Sequence, residues 1–178
     1  RQMPNDDFLA VLDFGSQYAH LIAKRIRHLG VYTEIFPPSI DTDSLEAAKG
    51  IILSGGPASV FAEDVPAFNP EILNLSQPIL GLCYGHQLMA KHFDGRVANT
   101  GQGEFGKASL RQLNPSPLWK DVTDNSQVWM SHQDSVTELP QDFQVIGETI
   151  SGSLTALQHE ERPLFSLQFH PEVTDTLA

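Results

Sequence analysis

The chain has 178 residues, is 40% apolar and 8% aromatic, and carries a formal net charge of −11. That length suffices for one well-buried domain and is short for two, while the acidic balance argues against nucleic acid or an anionic membrane as partner. A single cysteine excludes an internal disulfide framework and suits a reducing cytosol, and no apolar run reaches membrane-spanning length.

The chain opens on Arg1 without the pattern of a signal peptide, so it reads as a processed or excised piece of a cytoplasmic protein. Phe8 to Leu12 is an apolar run closed by Asp13-Phe14-Gly15, a buried strand and its turn. Ser16 suits the cap of a helix whose apolar residues Ala19, Ile22, Ala23, Ile26 and Leu29 recur at helical spacing, with Gly30 ending it. Residues 31–36 read as a second strand, closed by Pro37-Pro38. Residues 43–49 read as a short helix and 51–53 as a third strand. Ser54-Gly55-Gly56-Pro57 follows directly, at the strand end where ligands sit in open α/β sheets. It fits neither a G-x-x-x-x-G-K-[ST] phosphate loop nor G-x-G-x-x-G.

Pro78 precedes a short apolar run, and after Gly85 the residues suit a helix. Between them stands Cys83, flanked at two residues on each side by Gly81 and Gly85. This is nucleophile-elbow spacing with sulfur in place of oxygen. The glycines leave room for a sharp strand-to-helix turn, and the helix N-terminus favours a thiolate. Beside such a nucleophile, the glycine loop and the backbone N–H of Tyr84 become candidates for an oxyanion hole.

From Arg96 onward the texture changes to short β-rich segments at 108–113, 127–130, 144–148, 154–158 and 164–169, which predict antiparallel strands beside the parallel sheet. The fold class is therefore α/β: an open, mostly parallel sheet covered by helices on both faces, with an additional small antiparallel sheet from the second half. No repeat, low-complexity segment or linker divides it.

Seven histidines compete for the role of base. His20 and His28 fall on the first helix and read as surface residues. His86 and His92 lie on the helix that carries Cys83, His86 with its side chain pointing along that helix. His159 sits in a turn. His132, in Ser131-His132-Gln133-Asp134, and His170, in Phe169-His170-Pro171-Glu172, both follow strands. Pro171 keeps His170 extended, so Glu172, two residues on, shares its face and can orient the ring. Cys83, His170 and Glu172 then form a nucleophile, a base and an orienter, the parts of acyl-transfer machinery. No metal-ligand spacing is present among one cysteine and scattered histidines.

Gly81-Leu82-Cys83-Tyr84-Gly85-His86-Gln87, with Phe169-His170-Pro171-Glu172-Val173 and Ser54-Gly55-Gly56-Pro57, resembles a class I (triad-type) glutamine amidotransferase domain from about Leu9 to the end. This gives a flavodoxin-like expectation for the sheet. Within that family, Leu12-Asp13-Phe14-Gly15-Ser16-Gln17-Tyr18, Glu104-Phe105-Gly106 and Val128-Trp129-Met130-Ser131-His132 resemble the glutaminase domains of GMP synthetases. The resemblance implies hydrolysis of L-glutamine to glutamate and ammonia through a thioester on Cys83, with backbone N–H groups of Gly56 and Tyr84 binding the oxyanion. It implies glutamine contacts at Gln87, Ser131, His132 and Gln133, the 131–134 segment gripping the α-amino and α-carboxyl groups partly through backbone. It also implies a domain over residues 8–178 without a cofactor or metal of its own. ATP and Mg would be used by an ATP-pyrophosphatase partner, which with a dimerisation domain is absent from this piece and which aminates XMP to GMP. Two alternatives stay open on the sequence: a γ-glutamyl peptidase-like Cys-His-Glu hydrolase or another amidotransferase's glutaminase domain, and a catalytically silent docking domain.

Overall fold

The computed structural model describes residues 7–15, 17–56, 65–99, 103–132, 134–149 and 154–171. Strand β1 (Phe8–Leu12) lies inside a parallel sheet, buried on both faces. Alternation sends Ala10 and Leu12 into one core and Val11 into the other. Helix α1 (Tyr18–His28) packs Ala19 and Ile22 onto the Val11 side, and its last turn carries Arg25, Arg27 and His28, cations that suit the helix C-terminus. The helix starts from Gln17 in the left-handed region (φ 63°), without a side-chain cap. Ser16, the expected cap, lies outside the described residues. Gly30 (φ 87°) ends the helix as expected.

Strand β2 (Thr33–Phe36) is two residues shorter than the expected segment. The expected 43–49 helix is a correction: the chain forms one 3₁₀ turn, Thr42–Leu45, whose Asp41 cap accepts the Ser44 N–H at 2.8 Å. Ala48 and Lys49 already belong to β3 (Ala48–Leu53), because Ala48 is buried against the sheet in register with Phe8. Local helix propensity yields there to tertiary pairing. Then come β4 (Ile79–Leu82) and α2 (Tyr84–His92), the latter packing Met89 and Ala90 into the core opposite α1.

The second half consists of strands β5 (Arg96–Ala98), β6 (Glu104–Gln112), β7 (Ser126–His132), β8 (Ser135–Glu138), β9 (Phe143–Glu148), β10 (Leu154–His159) and β11 (Leu164–Leu167). The large sheet has nine strands in the order β2-β1-β3-β4-β11-β10-β9-β6-β7, and β5-β8 form a separate two-stranded antiparallel sheet. The first five run parallel in the flavodoxin-like order, while β10, β9, β6 and β7 extend the same sheet in antiparallel pairing. One segment differs from the sequence reading: β11, expected among the antiparallel strands, lies parallel to β4 and antiparallel only to β10.

The antiparallel strands curl. The His170 N–H, three residues past β11, donates to the Trp129 carbonyl of β7 at 3.0 Å, so the far edge of the sheet returns to its middle. Inside the curl, Val128 and Met130 of β7, Leu110 of β6 and Ile146 of β9 join Leu167 and Phe169 in one core. The stretch after β11 is thereby held from both sides.

Candidate active site

Cys83 sits between β4 and α2 at φ 52° and ψ −105°, a conformation that residues bearing a Cβ rarely adopt. Two backbone bonds hold it: its N–H donates to the Leu167 carbonyl at 2.8 Å, and its carbonyl accepts the Gln87 N–H at 3.1 Å. The flanking glycines have steric reasons. A Cβ on Gly81 would lie 2.6 Å from the Gly85 carbonyl oxygen, and one on Gly85 would lie 2.6 Å from that of Leu53. The turn that presents the sulfur is closed to larger residues at both places.

The sulfur meets the segment after β11. Cys83 Sγ lies 3.0 Å from His170 Nε2 and donates within 2.9 Å to the Gln168 carbonyl. His170 is 2% exposed and Cys83 5%. For Nε2 to accept the thiol proton, the neutral ring carries its own hydrogen at Nδ1, the nitrogen an orienting carboxylate would hold. Glu172, expected in that role, lies outside the described residues, as do Gln133 and Pro57.

Tyr18 of α1 stacks on the His170 ring, centroids 4.6 Å apart and planes 23° from parallel. Gly55 passes beside both: a Cβ there would lie 2.9 Å from Tyr18 Cδ2 and 3.4 Å from His170 Cε1. Gly56 is pressed against Phe14, whose Cβ an added Cβ would meet at 2.6 Å. Ser54 fastens this loop to the end of β1, its Oγ accepting the Phe14 N–H at 3.1 Å. Tyr84 occupies the first position of α2, where a backbone N–H has no intrahelical acceptor.

Gln87, one turn into α2, is buried, and its Nε2 donates to the Asp134 carbonyl at 2.8 Å and to Gln168 Oε1 at 3.1 Å. His132 stands at the end of β7 with Nδ1 at 2.7 Å from the Asp134 carbonyl and Nε2 at 2.9 Å from Glu104 Oε1. Ser131 precedes it with its side chain exposed, so what it offers an enclosed ligand is backbone. Asp134 Oδ2 and Gln168 Nε2 are buried polar atoms without a hydrogen-bond partner among the described residues.

His86 departs from its expected course along the helix. It is fully buried, with Nδ1 at 2.7 Å from Ser166 Oγ on β11, and burial pushes its pKa down to about 3. It stays neutral and serves packing between α2 and β11. His20, His28 and His92 are exposed, and His159 Nδ1 accepts two backbone N–H groups of its turn at 3.0 and 3.1 Å.

Sequence reasoning missed Tyr18, Gln168 and the Glu104–His132 contact. Glu104 and Tyr18 belong to segments the family resemblance had marked, but their approach to the site depends on strand curl and loop path. Among the described residues, no group of three or more His, Cys, Asp or Glu is placed to hold a metal ion. No helix among them is long and apolar enough to cross a membrane.

The family model "Glutamine amidotransferase class-I" matches residues 10–178. A GMP synthase [glutamine-hydrolyzing] of Campylobacter lari is 48% identical over 167 residues, covering 93% of this chain and 33% of that protein. The crystal structure of a putative GMP synthase subunit from Thermoplasma acidophilum superposes with a TM-score of 0.83 at 31% identity, covering 94% of this chain and 85% of that one. A glutamine amidotransferase from Thermotoga maritima shares the fold with a TM-score of 0.78 at 19% identity, over 96% of this chain and 78% of that one. The chain spans about a third of the length of the curated relatives it matches.

Proposed function

This chain belongs to the class I glutamine amidotransferase family, and from that premise we propose that it is the glutaminase unit of a GMP synthase, a domain over residues 8–178. The observation that carries the reading is the 3.0 Å approach of the Cys83 thiol to His170 Nε2 at a strained strand-to-helix turn.

His170 takes the thiol proton, and the thiolate attacks the side-chain carbonyl carbon of L-glutamine. The oxyanion forms beside the backbone N–H groups assigned to it, those of Tyr84 and Gly56. As the tetrahedral intermediate collapses, the carbon–nitrogen bond breaks and the imidazolium returns its proton to departing ammonia. His170 then draws a proton from water, which attacks the thioester and releases glutamate, restoring the thiol. Glu172 is assigned to hold His170 Nδ1–H throughout.

Substrate recognition falls to Gln87 and the 131–134 segment, with Gln133 among its residues. Gln87 Nε2 has two hydrogens, and both are taken by Asp134 and Gln168, so what it offers a ligand is its carbonyl oxygen. The unpartnered Asp134 Oδ2 suits an α-ammonium group, because a buried acceptor without a donor is costly until one arrives. The ammonia passes to an ATP-pyrophosphatase domain or subunit that uses ATP and Mg to aminate XMP in the cytoplasm.

The test is release of ammonia and glutamate from L-glutamine, with Cys83→Ala beside the wild type and a glutamine-like alkylating agent as label. The expected result is release that falls about 10³-fold or more in the variant, and a single label on Cys83. Labelling without release would mark a formed site that waits for its synthetase. Neither release nor labelling in folded protein would overturn the reading. Faster turnover of γ-glutamyl peptides than of glutamine would favour a peptidase instead.

A further inference from the structure

A continuous line of hydrogen bonds leads from the β6–β9 side of the molecule to the sulfur. Thr149 Oγ1 donates to Glu104 Oε2 at 2.7 Å, and Glu104 Oε1 faces His132 Nε2 at 2.9 Å. His132 Nδ1 donates to the Asp134 carbonyl at 2.7 Å, and the same carbonyl accepts Gln87 Nε2 at 2.8 Å. Gln87 Nε2 reaches Gln168 Oε1, and the Gln168 carbonyl accepts from Cys83 Sγ. The His132 side chain is 3% exposed and that of Glu104 15%, so this is a mostly enclosed pair.

The chemistry of the ring assigns its direction. A carbonyl only accepts, so His132 Nδ1 must carry hydrogen. Nε2 then faces the Glu104 carboxylate at 2.9 Å, and that contact fixes which way the ring is turned. Without that carboxylate the ring could turn over and withdraw its hydrogen from Asp134. Asp134 would lose the bond that holds its carbonyl toward Gln87.

We propose that Glu104 is a positioning residue for the glutamine site: it locks the orientation of His132 and thereby the Asp134 carbonyl that holds Gln87. Its effect falls on glutamine binding rather than on the thiol, because what it fixes is the Gln87 side chain, whereas Cys83 is held by backbone groups of Leu167, Gln87 and Gln168 and by His170 Nε2. The proposal rests on the glutaminase reading above.

The experiment uses the whole chain as wild type, Glu104→Ala and Glu104→Gln. Glutamine affinity is read as KM for hydrolysis, or as protection of Cys83 from iodoacetamide where turnover is slow. The unprotected iodoacetamide rate reports the thiol and the fold. Glu104→Ala is expected to weaken glutamine about tenfold with kcat and the unprotected rate within about twofold. Glu104→Gln is expected to recover affinity to within about threefold, since its amide can donate to Nε2 and still accept from Thr149.

Unchanged affinity in Glu104→Ala, or failure of Glu104→Gln to recover it, overturns the proposal. So does a loss confined to kcat or to the unprotected rate. If Glu104→Ala does not fold, Thr149→Val decides: about twofold weaker glutamine at an unchanged thiol rate supports the proposal, and unchanged affinity overturns it. A wild type that neither hydrolyses glutamine nor is protected by it overturns the glutaminase reading, and this inference with it. A protected wild type whose variants match it overturns the inference alone.

Discussion

Cys83 is a residue whose backbone serves its side chain. At φ 52° and ψ −105° it holds a conformation that costs a Cβ-bearing residue about 1–3 kcal/mol, and the bonds to Leu167 and Gln87 maintain it. Both Cys83→Ala and Cys83→Gly remove the sulfur and should abolish hydrolysis, but only glycine relieves the angle. We predict that Cys83→Gly is about 1 kcal/mol more stable than Cys83→Ala in urea titration. A glycine variant no more stable than the alanine would show that the turn stores no strain. The stacking of Tyr18 on His170 belongs to the same scale. Tyr18→Phe keeps an aromatic face over the ring and should retain most activity, while Tyr18→Ala should lose about tenfold in kcat, measured as ammonia release.

The β4–α2 elbow works because neighbouring elements are pressed against it. Gly85 touches the end of β3 at Leu53, and Gly81 touches Gly85, so alanine at either should cost about 1–3 kcal/mol and reduce Cys83 labelling in parallel. His86 joins the elbow's helix to β11 through Ser166. Burial holds its pKa near 3, below the ordinary 6.5, so between these values the unfolded chain binds a proton that the folded chain excludes. The stability tied to the neutral ring is therefore present above pH 6.5 and is lost progressively as pH falls toward 3. Urea unfolding at pH 7, 6 and 5 should show wild-type stability falling relative to that of His86→Asn as the pH drops. A difference between the two that stays constant over that range would contradict the assignment.

Over the whole molecule, the parallel and antiparallel halves form one sheet, and the His170–Trp129 bond ties its far edge to its middle. Such continuity predicts a single cooperative transition. The two tryptophans, Trp119 and Trp129, both lie in the second half. Their fluorescence should therefore follow the antiparallel region, while far-UV circular dichroism reports all elements. We predict coincident midpoints by both probes. Separated midpoints would show two units that melt independently and would detach the site's stability from the curl.

Strands in the first half were legible because burial on both faces writes them as unbroken apolar runs, as in Phe8–Leu12 and Ile79–Leu82. The elbow was legible because steric need leaves glycine at two fixed offsets from Cys83, and His170 because proline and strand chemistry surround it. Other features were set only in three dimensions. Ala48 joined a strand through pairing with β1, β11 turned parallel through its place beside β4, and His86 was taken into the core by packing against Ser166. Glu104, 28 residues before His132 in sequence, reached it because β6 and β7 pair in register. The sequence by itself determined the parallel α/β core and the glycine-flanked elbow that carries Cys83, since those depend on local sterics and hydrophobic pattern. Tertiary structure alone decided how the sheet curls and which buried partners hold the ring and amide groups, because those contacts join residues whose separation along the chain carries no local signal.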